Sequence, residues 1–303
     1  MQWINDLIDK SIVHEFVLPS FNDSAIKLFV KRDDLIHKEI SGNKLRKLKY
    51  NLKAFYKFNC KGIITYGGAF SNHLIATASA CNLSGIKSFG FVRGEELNEN
   101  SNTILRKCSA LGMNLKFVTR THFSKIKHNS GVQEFDGENY WFVPEGGSNK
   151  EGYFGCSEIV ENDNFNIVCL AQGTTTTSLG VALSLKSNQK VLVVPVLKGF
   201  NSLGEMNKLL SDDLLFEELK NNIIVSDEFH FGGYSKTTKE LLDFVQDFNE
   251  LNNFQIEPIY TGKAMYALRE YLNSNKSDEN KKVLFVHTGG LQNNFLDFIK
   301  TVS

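Results

Sequence analysis
The stretch FNIVCLAQGTTTTSLGVALSL, residues 165–185, decides the fold. Its first seven residues are too apolar for a strand with one face in water, so they fit a strand covered on both faces, as in a parallel sheet. Gln172 and Gly173 break the run, Thr174, Thr175, Thr176 and Thr177 follow, and SLGVALSL continues as a buried helix. Strand, short loop and helix in that order make half of a βαβ unit. Ligands of such sheets sit where strand ends meet helix N-termini, because the free amides there attract anions.

The same rhythm runs outward from this stretch. Strands are predicted at GIITY (62–66), KSFGFV (87–92), NLKFV (114–118), YWFVP (140–144), KVLVVPV (190–196), NNIIVS (221–226) and KVLFVH (282–287). Helices are predicted near 44–58, 71–82, 99–111, 152–163, 174–186, 236–249, 263–274 and 291–299. In the first helix Leu45, Leu48, Leu52 and Phe55 share one face. Arg46, Lys47, Lys49, Lys53 and Lys57 fall mostly elsewhere, which leaves Lys47, Lys49 and Lys53 at the surface. The loop PEGGSNKEG (144–152) is the expected crossing between two domains.

With 303 residues, 42% of them apolar, the chain can bury a core large enough for two domains. Its 34 basic and 34 acidic residues cancel, so no net field favours nucleic acid or an anionic membrane, and a small ligand is expected. Cys60, Cys81, Cys108, Cys156 and Cys169 form no CxxC pair and leave an odd one over, which argues against a disulfide framework or a zinc knuckle and for a reducing, cytoplasmic compartment; no metal is expected. The first residues, MQWINDLIDKSIVHEF, lack the cationic start of a secretory signal. No apolar run approaches the roughly 18 residues of a membrane-spanning helix.

Four loops after strands carry ligand-type residues. The threonine loop suits a phosphate, since hydroxyls and amides converge beside a glycine, although threonines that simply cap a helix would look the same. It lacks GK[ST] and GxGxxG, so neither a nucleotide-triphosphate loop nor a dinucleotide fold is supported. After GIITY, Ser71, Asn72 and His73 open a small-residue helix whose amides could hold a carboxylate; an N-cap serine is the plainer reading. HTGG presents Thr288 at a strand end, and EPIYTGKAMYAL presents Tyr260 and Thr261 before a helix.

ISGNKLRKLKY (40–50) ties these loops together. Lys44 stands where a helix begins, and a helix N-terminus disfavours cations. A lysine held there and partly desolvated loses preference for its charged form and becomes a better nucleophile. An amine nucleophile, an anion loop and a hydroxyl for a ring nitrogen are what an enzyme needs to hold pyridoxal 5'-phosphate.

Seven motifs in order resemble one family: VKRDDL (30–35), SGNKLRKL (41–48), YGGAFSNH (66–73), VPEGGSN (143–149), FHFGGYSK (229–236), YTGKAM (260–265) and HTGG (287–290). Together they resemble the fold-type-II pyridoxal-phosphate enzymes, within them the group of D-cysteine desulfhydrase and 1-aminocyclopropane-1-carboxylate (ACC) deaminase. The resemblance implies an α/β chain of two open-sheet domains, tryptophan synthase β-like, with the cofactor in the cleft between them. The larger domain would comprise 1–48 and 157–303, the smaller 49–156. Lys44 would be the Schiff-base lysine and the base at the α-carbon. Asn72 would bond the cofactor's ring oxygen, Gly173 to Thr177 its phosphate, and Thr288 its pyridine nitrogen. Ser71 and His73 would meet the substrate carboxylate, and Tyr234 and Tyr260 would face the substrate. ACC deaminases carry glutamate where this chain has Thr261; a neutral side chain there fits the desulfhydrase side. The implied function is a lyase that eliminates hydrosulfide from D-cysteine, in a homodimer. ACC deamination, another D-amino-acid lyase or racemase, and a non-catalytic module for a phosphorylated metabolite are the alternatives.

Overall fold
The computed structural model describes residues 1–40, 42–160, 164–275 and 280–290. The expected helix at 291–299, the end of the one expected at 152–163, and Ser41 lie outside them. In chain order the described strands are β1 (Val13–Glu15), β2 (Ile26–Lys31), β3 (Ile63–Gly68), β4 (Ser88–Arg93), β5 (Met113–Val118), β6 (Gly131–Phe135), β7 (Glu138–Val143), β8 (Ile167–Gln172), β9 (Lys190–Pro195), β10 (Ile223–Val225) and β11 (Lys281–Val286). The helices are α1 (Gln2–Ile8), α2 (Asn43–Lys57), α3 (Asn72–Leu83), α4 (Thr103–Ala110), α5 (Arg120–Ile126), α6 (Lys150–Ser157), α7 (Thr175–Ser184), α8 (Ser202–Leu210), α9 (Asp213–Leu219), α10 (Lys239–Leu251) and α11 (Thr261–Ser274).

Two sheets form. One has the order β1-β2-β11-β8-β9-β10 and the other β5-β4-β3-β7-β6. Both are parallel except for an antiparallel edge strand, β1 in the first and β6 in the second. The apolar runs at 165–171 and 282–287 pair directly, Val283 opposite Ile167 and Phe285 opposite Cys169. Their side chains alternate between two cores. Cys169, Leu192 and Phe285 pack with α10 and α11, whereas Leu170, Val193 and Leu284 pack with α6 and α7. This two-sided burial is why the strands are apolar throughout. The second sheet is also covered on both faces, Ile63 packing with α2 and α3 and Ile64 with Phe123 of α5.

Helix α2 corrects one expectation. Leu45, Leu48, Leu52 and Phe55 are buried as the pattern requires, and Lys53 is exposed. Arg46 and Lys47, however, are 2% and 1% exposed, and Lys49 is largely covered through its ion pair with Glu158. The cause is α6, which lies backbone-to-backbone on the flank of α2 that would otherwise meet water: a Cβ on Gly155 would come within 1.8 Å of the Arg46 carbonyl oxygen. Arg46 survives burial because Asp33 accepts from its Nε at 2.6 Å and its Nη2 at 2.7 Å.

Candidate active site
The start of α2 is built from distant chain. Gly42, with φ +62°, turns into the helix directly against residue 288, and a Cβ there would lie 1.8 Å from the Thr288 carbonyl oxygen. Only glycine fits, on conformation and on space. Lys44 follows, half-buried, its ammonium donating to Asn43 Oδ1 at 2.6 Å, while Asn43 Nδ2 donates to Thr177 Oγ1 at 2.7 Å. Burial, and then the neighbouring Lys47 cation, lower the Lys44 amine to about 7.

Lys47 is the residue the sequence reading missed. It lies three positions after Lys44, hence on the same side of the helix, and that spacing was the available signal. Its ammonium donates to Thr174 Oγ1 at 2.9 Å and to the Gly146 carbonyl at 3.1 Å, and burial lowers it to about 8. Among the described residues neither lysine hydrogen-bonds a carboxylate; their acceptors are an amide, a hydroxyl and a carbonyl. Two crowded cations with no counter-ion among the described residues make a site suited to an anion.

The β8–α7 loop meets them. Thr174 is the N-cap residue of α7, yet its side chain makes no capping bond, so the reading of these threonines as simple caps fails at Thr174. Thr175 and Thr176 are buried beside it, and the Thr176 hydroxyl has no partner. Gly173 leaves room for a ring: a Cβ would fall 2.8 Å from Cε1 of Tyr260.

In the β3–α3 loop, Ser71 Oγ caps α3 by accepting from the Leu74 amide at 3.3 Å, leaving its own proton to donate. Asn72 Oδ1 is buried without a partner. His73 is turned inward, 2% exposed, its Nε2 2.9 Å from Thr65 Oγ1 and its Nδ1 unpartnered. Burial, then Lys47 and Lys44, hold it down to about 3, so it is neutral and brings no charge to a carboxylate.

Tyr260 is the N-cap residue of α11, and Tyr234, half exposed, packs edge-on against it with ring centroids 5.8 Å apart. Burial and then Tyr234 push the Tyr260 phenol above its ordinary value, so it stays protonated. Thr261 is fully buried, its hydroxyl donating to Glu257 Oε1 at 3.1 Å. The same carboxylate accepts from the amides of Ile259, Tyr260 and Thr261 at 2.7, 2.9 and 2.8 Å, and burial raises it to about 7 despite those bonds. Thr261 therefore engages Glu257, a residue the sequence reading passed over.

Among the described residues five buried side-chain polar atoms lack a partner, and three of them belong to Asn72, His73 and Thr176. Orphaned polar atoms concentrated beside two buried cations fit a phosphorylated, hydrogen-bonding ligand. A family model for pyridoxal-phosphate-dependent enzymes matches residues 17–289.

The chain belongs to that family.

This pyridoxal-phosphate-dependent enzyme is similar to the mitochondrial bifunctional D-cysteine desulfhydrase/ACC deaminase of Arabidopsis thaliana, at 29% identity over 92% of this chain and 76% of that one. A Thermotoga maritima protein provisionally named ACC deaminase is 30% identical over 88% of this chain and 89% of its own. The solved structure of an ACC deaminase homologue shares the fold, with a TM-score of 0.75, 23% identity, and coverage of 100% of this chain and 99% of the other. The fold-type-II architecture read from the motifs is thus present, and the cofactor of this enzyme family is pyridoxal phosphate. No described helix is long and apolar enough to cross a membrane.

Proposed function
We propose that this enzyme eliminates hydrosulfide from D-cysteine, giving pyruvate, hydrogen sulfide and ammonia. The observation that supports it best is Lys44, a half-buried amine lowered to about 7 whose ammonium donates to the Asn43 side-chain amide oxygen. When bound, pyridoxal phosphate condenses with amines and takes up the electron pair left as Cα loses its proton. Lys44 is the residue that would join it, with Lys47, Thr174 and Thr176 at its phosphate, Asn72 at its ring oxygen and Thr288 at its ring nitrogen.

The chain's own groups then divide the work. The Ser71 hydroxyl and the first amides of α3 bind the substrate carboxylate. Burial and the neighbouring Lys47 favour the unprotonated form of free Lys44, so Nζ can accept the Cα proton. The protonated Tyr260 phenol, with Tyr234 beside it, donates to the sulfur as it leaves Cβ. The aminoacrylate released takes up water to give pyruvate and ammonia.

ACC deamination is the second reading, favoured by the names of two relatives. Thr261 argues for the first, since no carboxylate occupies that position. Five free, buried cysteines support a reducing compartment such as the cytoplasm, and a homodimer divided into domains at 48/49 and 156/157 is part of the same proposal. The test is a visible absorption spectrum of the purified protein followed by product analysis with D-cysteine, L-cysteine and ACC. Pyruvate and sulfide from D-cysteine support the proposal; 2-oxobutyrate from ACC alone overturns it. Lys44→Ala should abolish turnover with the fold intact by circular dichroism.

A further inference from the structure
Helix α11 grips the loop in front of Tyr234 with a buried cation. Lys263 exposes none of its side chain, and its ammonium donates to the carbonyl oxygens of His230 at 2.8 Å and Gly233 at 2.7 Å. A buried ammonium loses its hydration, and here two loop carbonyls replace it. The turn between and beyond those carbonyls is strained: Phe231 (φ 50°), Gly232 (φ 92°), Gly233 (φ 113°) and Ser235 (φ 55°) all lie in the left-handed region. Two of them carry side chains, for which that region is unfavourable, and such a turn persists only where its surroundings over-determine it.

A second contact comes from the same helix. Tyr266, one turn beyond Lys263, packs its ring against Phe229 and Phe231 with centroids 5.7 and 5.1 Å away. Polar and apolar attachments from one helix thus bracket the loop. Tyr234 emerges from it, 51% exposed, against Tyr260 at the head of that helix.

We propose that Lys263 is a positioning residue: by tying the carbonyls of His230 and Gly233 to α11, it sets Tyr234 against Tyr260 and so fixes the pair that faces the substrate. The inference rests on the reading above that this pair meets a small amino acid. Lys263 touches neither substrate nor cofactor and acts through the loop.

The test is a double-mutant cycle on the holoenzyme with D-cysteine, combining Lys263→Met with Tyr234→Phe, alongside limited chymotrypsin digestion. Lys263→Met should keep the wild-type absorption spectrum, lose about tenfold or more in kcat/KM, and be cut faster at Phe229, Phe231 and Tyr234. In the Tyr234→Phe background the same change should cost less than about threefold, because coupled residues are not additive. Lys263→Arg, which keeps a cation for both carbonyls, should recover most of the loss. Equal losses in both backgrounds, or unchanged digestion, overturn the inference and leave Lys263 a core residue. If Lys263→Met does not fold, Lys263→Gln, which retains a donor for one carbonyl, enters the same cycle. A wild-type enzyme inactive on D-cysteine overturns the functional reading instead; digestion then still decides whether Lys263 holds the loop.

Discussion

Replacing Lys47 by methionine keeps the length of the side chain and removes the cation that Thr174 and Gly146 accept from. A hydrogen bond to a charged group contributes about 1.5–3 kcal/mol, so Lys47→Met should weaken pyridoxal phosphate binding roughly 10- to 150-fold, measured by equilibrium titration of the apoenzyme. Lys44 was legible in the sequence because its position contradicts helix electrostatics and its neighbours match a motif. Lys47 was not, because its burial depends on α6 and the 144–152 loop, which no local pattern connects to α2. Thr261 shows the reverse: its identity was informative, but its partner Glu257 was invisible until α11 folded back on it. Glutamate at 261 would therefore seat a second carboxylate against Glu257. Thr261→Glu should lower stability by about 3–5 kcal/mol, the cost of an uncompensated buried charge, and adding Glu257→Gln should restore part of it in thermal denaturation. Only the double variant is a fair test of substrate choice at this position.

At the scale of elements, α2 is held by a fully buried ion pair. Asp33 lies wholly buried with Arg46 and also accepts from Ser11 Oγ at 2.6 Å. Asp33→Ala would leave the Arg46 guanidinium unpaired, and a loss of about 3–5 kcal/mol is expected in chemical denaturation, with Lys44 displaced as well. Every strand read from an apolar run is present, because two-sided burial writes itself into composition. The strands that escaped notice, β1, β2 and β6, sit at or beside sheet edges or alternate in exposure, as in IKLFVK with Lys27 and Lys31 and GVQEF with Gln133 and Glu134. Helices α1, α5, α8 and α9 escaped because each is nine residues or fewer and buries only one or two side chains. The start of α11 moved two residues earlier, to Thr261, because Glu257 satisfies its first amides.

For the whole molecule, the two crowded lysines make stability depend on pH. Unfolded, each binds its proton up to about 10.5; folded, Lys44 releases it at about 7 and Lys47 at about 8. The unfolded chain therefore holds more protons between those values, and the apoenzyme should gain stability as pH rises from 7 toward 10 and lose it as pH falls. Denaturant titrations at pH 7 and pH 9 check this, with Lys47→Met expected to show a smaller gain than wild type. Saturating cofactor should raise stability by about 2.7 kcal/mol at a hundred times Kd. The seam between Gly42 and residue 288 has a further meaning for how the enzyme is made. The amide after Gly42 donates to the Thr288 carbonyl at 3.4 Å, so the pocket around Lys44 closes only when residues 43 and 288, far apart along the chain, have met. A ribosome that has delivered α2 and the whole five-stranded sheet has yet to deliver the wall against which that lysine is set. The reactive centre therefore waits on residue 288, and until that residue arrives a nascent chain carries its lysine as an ordinary ammonium.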